Sequence, residues 1–351
     1  MRCPTLSQLP PPPPDKTGWP WTEESPQLLD TMPDGQPWPL VSIVTPSYNQ
    51  AQFIEETIRS VLLQGYPNLE YIIIDGGSTD GSVDIIRKYE PWLAYWVSEK
   101  DAGQADAINK GWQRSSGEIL AWLNSDDVYN REAIVSAVQF LVENPAVDMV
   151  YSDCYAIDEA SRVLGPMEGV RDFDVGLLMQ AANHIPQPTV FFRRRVLDRV
   201  GMLDDSLRYV MDYDFWLRVG LKCTVRRIPG ILANFRMHGA SKSEAESYRF
   251  WPEMLYALQK AYSTPGLAPE LARLRPIAFS RAHLHVADYE YRYGRLRRAW
   301  AHYRWAVYYR PRHLLEPSVF RWVGKLVVGK RTATAIKSFL HDRLHPEKAS
   351  L

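Results

Sequence analysis

Short apolar runs alternate with stretches of helical periodicity along residues 40 to 150. The apolar runs predict buried strands at Val41–Thr45, Tyr71–Ile74, Glu118–Asn124 and Met149–Tyr151. Between them, apolar side chains recur at helical spacing, which predicts helices over residues 53–62, 83–89, 103–114 and 131–144. Strands that alternate with helices predict an α/β fold with a doubly wound, mostly parallel sheet.

The two flanks of this region lack its alternating pattern. Residues 1–39 are rich in proline and predict a largely irregular, mobile extension, although Trp19, Trp21 and Trp38 could pack onto the body. A globular domain is expected over residues 40–245. Residues 246–351 form a basic, aromatic-rich helical region that includes one tetratricopeptide-like pair, which we interpret as a hairpin.

Composition narrows the class of protein. The 351 residues are 46% apolar, which is enough for a large core and two structural units. Cys3, Cys154 and Cys223 have neither disulfide nor zinc-ligand spacing, so we expect a reducing, cytoplasmic setting. The N-terminus lacks the pattern of a signal peptide and no apolar run approaches about 20 residues, so membrane contact is expected to be peripheral.

Two adjacent carboxylates, Asp126 and Asp127, follow the apolar run Ile119–Trp122. Hard divalent cations such as Mg²⁺ and Mn²⁺ prefer oxygen ligands and keep substrate phosphates among them. In open α/β sheets, ligands collect at the carboxyl ends of strands. The alternative is that the pair only opens a turn or caps the following helix, and for the pair alone this alternative is favoured.

Other strand ends carry polar and glycine-rich segments. Thr45–Asn49 follows the first strand and Asp75–Ser82 follows the second. The glycines allow positive φ and close backbone approach, while Ser78, Thr79 and Asp80 could bind a nucleotide or cap a helix. Neither a Walker lysine pattern nor GxGxxG is present, which argues against P-loop phosphoryl transfer and dinucleotide oxidoreductases.

In their order, these segments resemble the family 2 inverting glycosyltransferases of the GT-A fold. The matching stretches are Val41–Asn49, Ile74–Ser82 and Ser125–Asp127, the last being similar to the family's metal-binding DXD-type motif. The resemblance covers residues 40 to 240 approximately and implies a nucleotide-sugar donor with Mn²⁺ or Mg²⁺ as cofactor.

The resemblance also implies roles for single residues. Asp127 would be the principal metal ligand, Asp126 would contact the ribose or the metal, and Tyr48 would lie against the base. Many members carry a second acidic residue where this chain has Gly76, which leaves the choice of nucleobase open. The implied nucleotide-sugar contacts are Pro46, Tyr48, Asn49, Asp75, Ser78, Asp101, Gln104, Asn109 and Asp126.

The segment Tyr209–Arg218 is similar to the part of these enzymes that holds the catalytic base, with Asp212 at the base position and Met211 where Glu is frequent. Transfer requires that the acceptor hydroxyl lose its proton during attack, and a positioned base contributes roughly 10²- to 10⁴-fold in rate. The alternative is that Asp212 caps a helix. Asp214 would point elsewhere on that helix.

Three further residues are weaker candidates. His238, in a late loop over residues 235–243 that resembles the family's diphosphate-binding loop, would complete the metal shell or be an ordinary hydrogen-bonded histidine. Gln187 and Trp216 are candidate contacts of the acceptor, although Trp216 could instead face the core. Arg193–Arg195 fit a solvated turn equally well.

The C-terminal region is strongly basic. Residues 271–351 hold 17 Lys and Arg against 5 Asp and Glu, which gives 17 − 5 = +12 in a chain of zero net charge. Arginines interleaved with Trp and Tyr over residues 295–310, and helical spacing over 319–327, suit an anionic membrane surface. Packing of these helices on the catalytic domain is the favoured alternative, and no nucleic-acid-binding motif accompanies the charge.

The sequence therefore predicts a metal-dependent, inverting glycosyltransferase that acts on a saccharide or lipid-linked saccharide, in surface polysaccharide or glycolipid assembly. Two other functions remain open. A nucleotidyltransferase would use similar carboxylates without needing Asp212, and a non-catalytic nucleotide-sugar-binding scaffold would keep Asp127 but tolerate loss of Asp212.

Overall fold

The structure is a computed structural model that describes residues 1–239 and 249–312. The chain divides into two compact units, and each is treated as far as it is described. The first unit comprises residues 1–178 and 183–247, and the second comprises residues 179–182 and 248–351. The domain boundary predicted near residue 245 lies outside the described residues and stays a prediction.

The described residues of the first unit form a nine-stranded sheet in the order β3-β2-β1-β4-β8-β6-β9-β5, with β7 beside β6. Strands β3, β2, β1 and β4 are parallel, as is the pair β6–β9, whereas β8 runs antiparallel to both neighbours. The α/β class and the mostly parallel sheet are confirmed. The strands are β1 (Val41–Ser47), β2 (Leu69–Asp75), β3 (Tyr95–Ser98), β4 (Ile119–Trp122), β5 (Val128–Tyr129), β6 (Met149–Ile157), β7 (Val163–Pro166), β8 (Phe191–Arg193) and β9 (Val225–Arg236).

Helices connect these strands. In the first unit they are α1 (Ile54–Leu62), α2 (Ser82–Tyr89), α3 (Gln104–Arg114), α4 (Ala133–Glu143), α5 (Val175–Leu178), α6 (Arg195–Val200) and α7 (Met211–Lys222), with 3₁₀ turns at Leu6–Gln8, Glu90–Trp92 and Gln187–Thr189. Helix α3 packs on β1 and β2. Gly111 makes this approach possible, because a Cβ there would lie 2.4 Å from Cγ1 of Val44.

Residues 1–39 are irregular, as the proline content predicts, but they pack against the first unit instead of forming a mobile extension. Cys3, Leu9 and Trp38 belong to its core. The fully buried Arg59 donates hydrogen bonds to the carbonyl oxygens of Pro10, Pro20 and Trp21. Proline lacks an N–H, yet its carbonyl still accepts, so a buried guanidinium can hold such a segment in place.

The described part of the second unit is helical, with α8 (Phe250–Tyr262), α9 (Pro269–Ala272), α10 (Arg275–Arg292) and α11 (Leu296–Tyr309). Helices α10 and α11 form the predicted hairpin, which turns at Gly294 (φ 73°). The helical spacing predicted over 319–327 lies outside the described residues. In the part of the chain that the structure describes, no helix has both the length and the apolar character to span a membrane.

Candidate active site

The loop after β2 is built around the carboxylate of Asp75. Asp75 is fully buried and pairs in register with Ser47 at the end of β1. Its oxygens accept the backbone N–H groups of Gly77 (3.1 Å) and Ser78 (2.8 Å) and the hydroxyls of Ser78 (2.5 Å) and Ser98 (2.7 Å). The nucleotide contact predicted for Asp75 stays a prediction, while the hydrogen bonds show a carboxylate engaged by its own chain.

Asn49, after β1, connects its loop to the loop after β2 by two hydrogen bonds. Its backbone N–H donates to Ser78 Oγ (2.8 Å) and its side-chain oxygen accepts the N–H of Thr79 (2.9 Å). Asn49 adopts a left-handed conformation (φ 51°), which asparagine tolerates better than most residues. Beside it, Pro46 is buried in β1, and the nucleotide-sugar contact predicted for Pro46 stays a prediction.

Tyr48 presents its side chain at this edge of the sheet, where its exposed fraction is 63%. Next to it, Ser47 Oγ is buried and has no hydrogen-bond partner among the described residues. An exposed ring beside a polar edge is the arrangement that a stacked base requires. Sequence reasoning selected Tyr48 but not Ser47, whose position at the strand end was the available signal.

The carboxylate of Asp101 occupies the space above Gly76. A Cβ built at Gly76 would lie 2.7 Å from Asp101 Oδ2, so a side chain there would require the Asp101 carboxylate to move. Burial raises the pKa of Asp101, although the N–H of Gly103 (2.9 Å) partly opposes this effect. Asp101 therefore brings an acidic group to the position at which this chain lacks the family's second acidic residue.

Both polar atoms of the Asn109 side-chain amide form hydrogen bonds with the backbone of Leu203. Its Nδ2 donates to the carbonyl of Leu203 (2.9 Å) and its Oδ1 accepts the N–H of the same residue (3.1 Å). These bonds hold α3 to the loop after α6. The predicted contact with the nucleotide sugar is not tested, but it would require this pair of hydrogen bonds to be shared or broken.

Asp126 and Asp127 have different environments. Asp126 is partly exposed and its Oδ2 lies 3.0 Å from His238 Nε2. Asp127 is fully buried, accepts the backbone N–H of Arg236 (3.0 Å) and an N–H of Asn124 (3.2 Å), and has its pKa raised by burial and by the neighbouring Asp126 charge. The geometry thus favours Asp126 over Asp127 as the residue that faces a ligand, in contrast to the assignment implied by resemblance.

Arg236, which sequence reasoning missed, holds the aspartate pair in place. It is almost completely buried at the end of β9, and its Nε donates to the carbonyl of Asp126 (2.8 Å). Its other nitrogens reach Glu56 in α1 (3.0 Å) and the carbonyl of Asp158 (3.0 Å). The one available signal was a charged residue at the end of an apolar strand, directly before the predicted loop.

A chain of amide hydrogen bonds leads away from the pair. Gln104 Nε2 donates to Asn124 Oδ1 (2.7 Å), Asn124 Nδ2 donates to Gln187 Oε1 (2.9 Å), and Gln187 Nε2 donates to the carbonyl of Trp122 (2.9 Å). Asn124, another residue that sequence reasoning did not select, joins all these groups to Asp127. Since both amide atoms of Gln187 are engaged, it positions Asn124, and its predicted acceptor contact remains untested.

Asp212 lies half-buried in the first turn of α7. Burial raises the pKa of its carboxyl to about 6, an effect partly opposed by the N–H groups of Asp212 itself and Tyr213. It has no ion pair with any described residue. Asp214 differs, because it is buried and accepts Arg218 Nε (2.9 Å). Of these two carboxyls on α7, Asp212 is the one without an ion pair among the described residues, and its role as base stays a prediction.

Trp216 lies in the core, and the acceptor contact predicted for it stays a prediction. The side chain is fully buried, and its ring stacks on Trp122 of β4 with centroids 5.3 Å apart and planes at 19°. Position 216 follows Asp212 by one helical turn but lies deeper against the sheet. Trp216 therefore anchors α7 to β4, which is the alternative that its apolar character allowed.

The residues present fit a divalent cation that takes most of its ligands from a substrate. Asp126 supplies a carboxylate oxygen, the donor that Mn²⁺ and Mg²⁺ prefer, and His238 supplies an imidazole nitrogen, which suits Mn²⁺ better than the harder Mg²⁺. Among the described residues, no three His, Cys, Asp or Glu side chains are grouped so as to hold a metal ion. Diphosphate oxygens and water would have to complete the shell. The rest of the predicted loop, residues 240–243, lies outside the described part.

Comparison with known proteins identifies the family. The family model described as glycosyl transferase family 2 matches residues 42–201. An uncharacterised glycosyltransferase of Mycobacterium tuberculosis is 31% identical over 217 residues, which cover 60% of this chain and 80% of that protein. The chain belongs to glycosyltransferase family 2. The predicted enzyme class, a glycosyltransferase, is confirmed. The Bacillus subtilis glycosyltransferase TuaG, named for teichuronic acid biosynthesis, is 41% identical over 108 residues, covering 30% of this chain and 43% of TuaG.

Solved structures confirm the GT-A fold of this family 2 enzyme. S. aureus TarS 1-349 in complex with UDP-GlcNAc superimposes with a TM-score of 0.55 at 17% identity, covering 72% of each chain. The mannosyltransferase PcManGT from Pyrobaculum calidifontis, in complex with GDP-Man and Mn²⁺, gives a TM-score of 0.55 at 21% identity, covering 88% of this chain and 86% of that one. At these identities the likeness concerns the fold.

Proposed function

We propose that this glycosyltransferase moves one sugar from a nucleoside diphosphate sugar to an acceptor hydroxyl by single displacement with inversion, with the help of a divalent cation. The observation that carries the proposal is Asp212, a half-buried carboxyl without an ion pair among the described residues and with a pKa raised to about 6. A general base works best when its pKa lies near the operating pH.

In the proposed mechanism, Asp212 accepts the proton of the acceptor hydroxyl as that oxygen attacks the anomeric carbon. Tyr48 lies against the nucleobase of the donor, and Asp101 places its carboxylate near the nucleobase. Asp126 and His238 would hold the cation, which when bound neutralises charge on the departing diphosphate. Arg236 and Asn124 keep the aspartate pair in position.

Relatives narrow the proposed substrates. The solved neighbours bind UDP-GlcNAc or GDP-Man, so both uridine and guanosine diphosphate sugars are candidates for this chain. The partial likeness to TuaG supports an acceptor in a surface polysaccharide or glycolipid, either a saccharide or a lipid-linked saccharide. With such an acceptor, we propose a cytoplasmic protein in peripheral contact with the inner face of the membrane, and no role in nucleic-acid binding.

The proposal is tested with a panel of uridine and guanosine diphosphate sugars, with Mn²⁺ and saccharide acceptors. We expect one donor to raise the melting temperature and to release nucleoside diphosphate, and proton NMR of the product to show an inverted anomeric centre. Release of pyrophosphate would instead identify a nucleotidyltransferase. Binding of a donor without turnover by any acceptor or water would identify a non-catalytic scaffold, and a retained anomeric configuration would exclude single displacement.

A further inference from the structure

The outward side of α11 carries arginines and large aromatic side chains on one stripe. Trp300, Trp305 and Tyr308 have exposed fractions of 36%, 51% and 71%. Spacings of three and four residues place the members of the stripe on the same side of the helix. We call this stripe the α11 face, and it consists of Arg297, Trp300, Ala301, Arg304, Trp305 and Tyr308.

The opposite side of α11 already provides the contacts that hold the hairpin together. Ala299, Tyr303 and Ala306 are buried there, and Tyr303 packs in a cluster with Ala287 of α10. Ser280 of α10 donates to the carbonyl of Ala306 (2.8 Å). Of the aromatic side chains on the α11 face, Trp305 stacks on His283 of α10 (ring centroids 6.2 Å apart), whereas the ring contacts of Trp300 and Tyr308 with described residues stay within α11. Large apolar groups left at a surface in a contiguous patch mark an interaction site.

Helix α11 has no acidic residue of its own to offset its arginines. Residues 296–312 contain five arginines and no Asp or Glu, which gives 5 − 0 = +5. Upstream in the hairpin, Arg292 pairs with Asp288 and Arg295 with Glu290. In contrast, Arg297 and Arg304 form no ion pair with any residue that the structure describes. The α11 face thus combines free positive charge with aromatic surface.

We propose that the α11 face binds the headgroup region of an anionic lipid bilayer, with its arginines on lipid phosphates and its Trp and Tyr rings at the boundary with the acyl chains. Amphipathic side chains of these types are favoured at that boundary, and each basic residue near an anionic surface adds attraction. The stripe runs about 16 Å along the helix axis, enough to lie in the interface without spanning it. A nucleic acid could also contact arginines and aromatic rings, but no nucleic-acid-binding motif accompanies the charge.

The inference rests on the proposed function, since a lipid-linked acceptor is what would require an enzyme at this surface. It identifies a defined surface on the second unit for the proposed membrane contact. We expect this membrane attachment to be reversible and to weaken as the salt concentration rises, because a single amphipathic face binds a bilayer only weakly.

The test is co-sedimentation of the full chain with vesicles of phosphatidylcholine alone or mixed with phosphatidylglycerol. We expect binding only to the anionic vesicles, and loss of binding from about 0.1 M to about 1 M salt, where the Debye length falls from about 10 Å to about 3 Å.

R297Q/R304Q should weaken binding about 25-fold, at about fivefold for each arginine. W300A/Y308A, which leaves the Trp305 ring on His283, should weaken it at least about tenfold through lost apolar contact. The matched control, K88Q/R273Q, removes two exposed charges elsewhere and should bind like wild type.

Each other outcome overturns the inference. If wild type did not bind anionic vesicles, the proposed membrane binding would be refuted. If wild type and both α11 variants bound equally, the contact would belong to another part of the chain. Self-association that the α11 variants abolish, with no vesicle binding, would make the face a contact between copies. Release of nucleoside diphosphate in solution is measured in parallel: its absence in wild type refutes the proposed function, whereas vesicle binding tests only the face.

Discussion

The loops that follow β2 and β4 both carry aspartates, but these differ in how much of each carboxylate is left accessible to a ligand. Asp75, after β2, is enclosed by the chain, whereas Asp126, after β4, is partly exposed. After β2, Asp75 is fully buried and accepts hydrogen bonds from Gly77, Ser78 and Ser98. After β4, Asp127 is buried and also accepts hydrogen bonds, whereas Asp126 has His238 as the one side-chain partner within the described residues.

The difference separates carboxylates that build the site from carboxylates that face a substrate. A buried carboxylate is costly unless its oxygens are hydrogen-bonded. Asp75 accepts four hydrogen bonds from described residues, whereas Asp127 accepts two and has a raised pKa, which favours its neutral form. Each then fixes a loop at a strand end. Asp126 and Asp212 lie partly exposed, and their oxygens remain available for a cation or a proton. Four predictions test this division.

The largest effect is expected for Asp212→Asn. Transfer to the acceptor should fall by roughly 10²- to 10⁴-fold, because the hydroxyl loses its proton acceptor. The melting temperature should stay the same or rise, since the variant removes a carboxyl whose charged form is disfavoured by burial. Steady-state transfer rates and thermal denaturation measure the two effects.

Asp214→Asn, two residues along α7, is the matched control. It breaks a buried pair with Arg218, so we expect a loss of about 3 kcal/mol in the free energy of unfolding. Below the melting temperature, transfer should stay within about tenfold of wild type, which would separate it from Asp212→Asn. If both variants lost transfer equally, the distinction between open and saturated carboxylates on α7 would be wrong.

The division was only partly predictable from the sequence. Apolar runs identified β1, β2 and β4 because these strands are buried, and the strand ends then located Asp75, Asp126 and Tyr48. Local periodicity carries no information about distant hydrogen-bond partners. The order of burial within the aspartate pair is set by Arg236, which reaches it from the end of β9.

The lack of information about distant partners also explains the other points at which the structure goes beyond the sequence analysis. The sequence predicts a strand within residues 184–195, and β8 (Phe191–Arg193) lies there, but its antiparallel direction depends on β4 and β6, which local periodicity does not report. Trp216 was ambiguous between acceptor and core, and the decision came from the Trp122 ring on a separate strand. The packing of residues 1–39 depends on Arg59, a buried arginine in α1 that composition alone would place at the surface.

The next effect concerns stability. Asp75→Ala leaves Gly77, Ser78 and Ser98 donors without their acceptor, so the free energy of unfolding should fall by about 3 kcal/mol. A shift of roughly 6–12 °C in melting temperature is expected for a unit of this size. Asp84→Ala, at a highly exposed residue of α2, is the control and should change stability by less than about 0.5 kcal/mol. Equal shifts would show that Asp75 is not the organiser of its loop.

The aspartate pair provides a sharper comparison. Asp126→Asn should raise the Mn²⁺ concentration for half-maximal transfer at least about tenfold, since even residues outside a coordination shell contribute roughly 10- to 100-fold. Asp127→Asn keeps an oxygen for the N–H of Arg236, so a change below about threefold is expected. Metal titrations of both variants decide between them. The reverse ranking would restore Asp127 as the principal ligand, the assignment that the resemblance implied.

The smallest effect is the pH dependence of wild-type transfer. Because the pKa of Asp212 is raised to about 6, kcat/KM should fall about tenfold per pH unit below that value, as the base becomes protonated. The same shift has the opposite sign for stability: the folded state binds this proton more tightly than the unfolded chain, so this group stabilises the fold at low pH and loses that contribution as pH rises from about 4 to about 6. An activity loss near pH 5 without a fall in melting temperature would therefore report the base itself. Asp212→Asn should lack this acidic limb, and a variant that kept it would assign the titration to a different group.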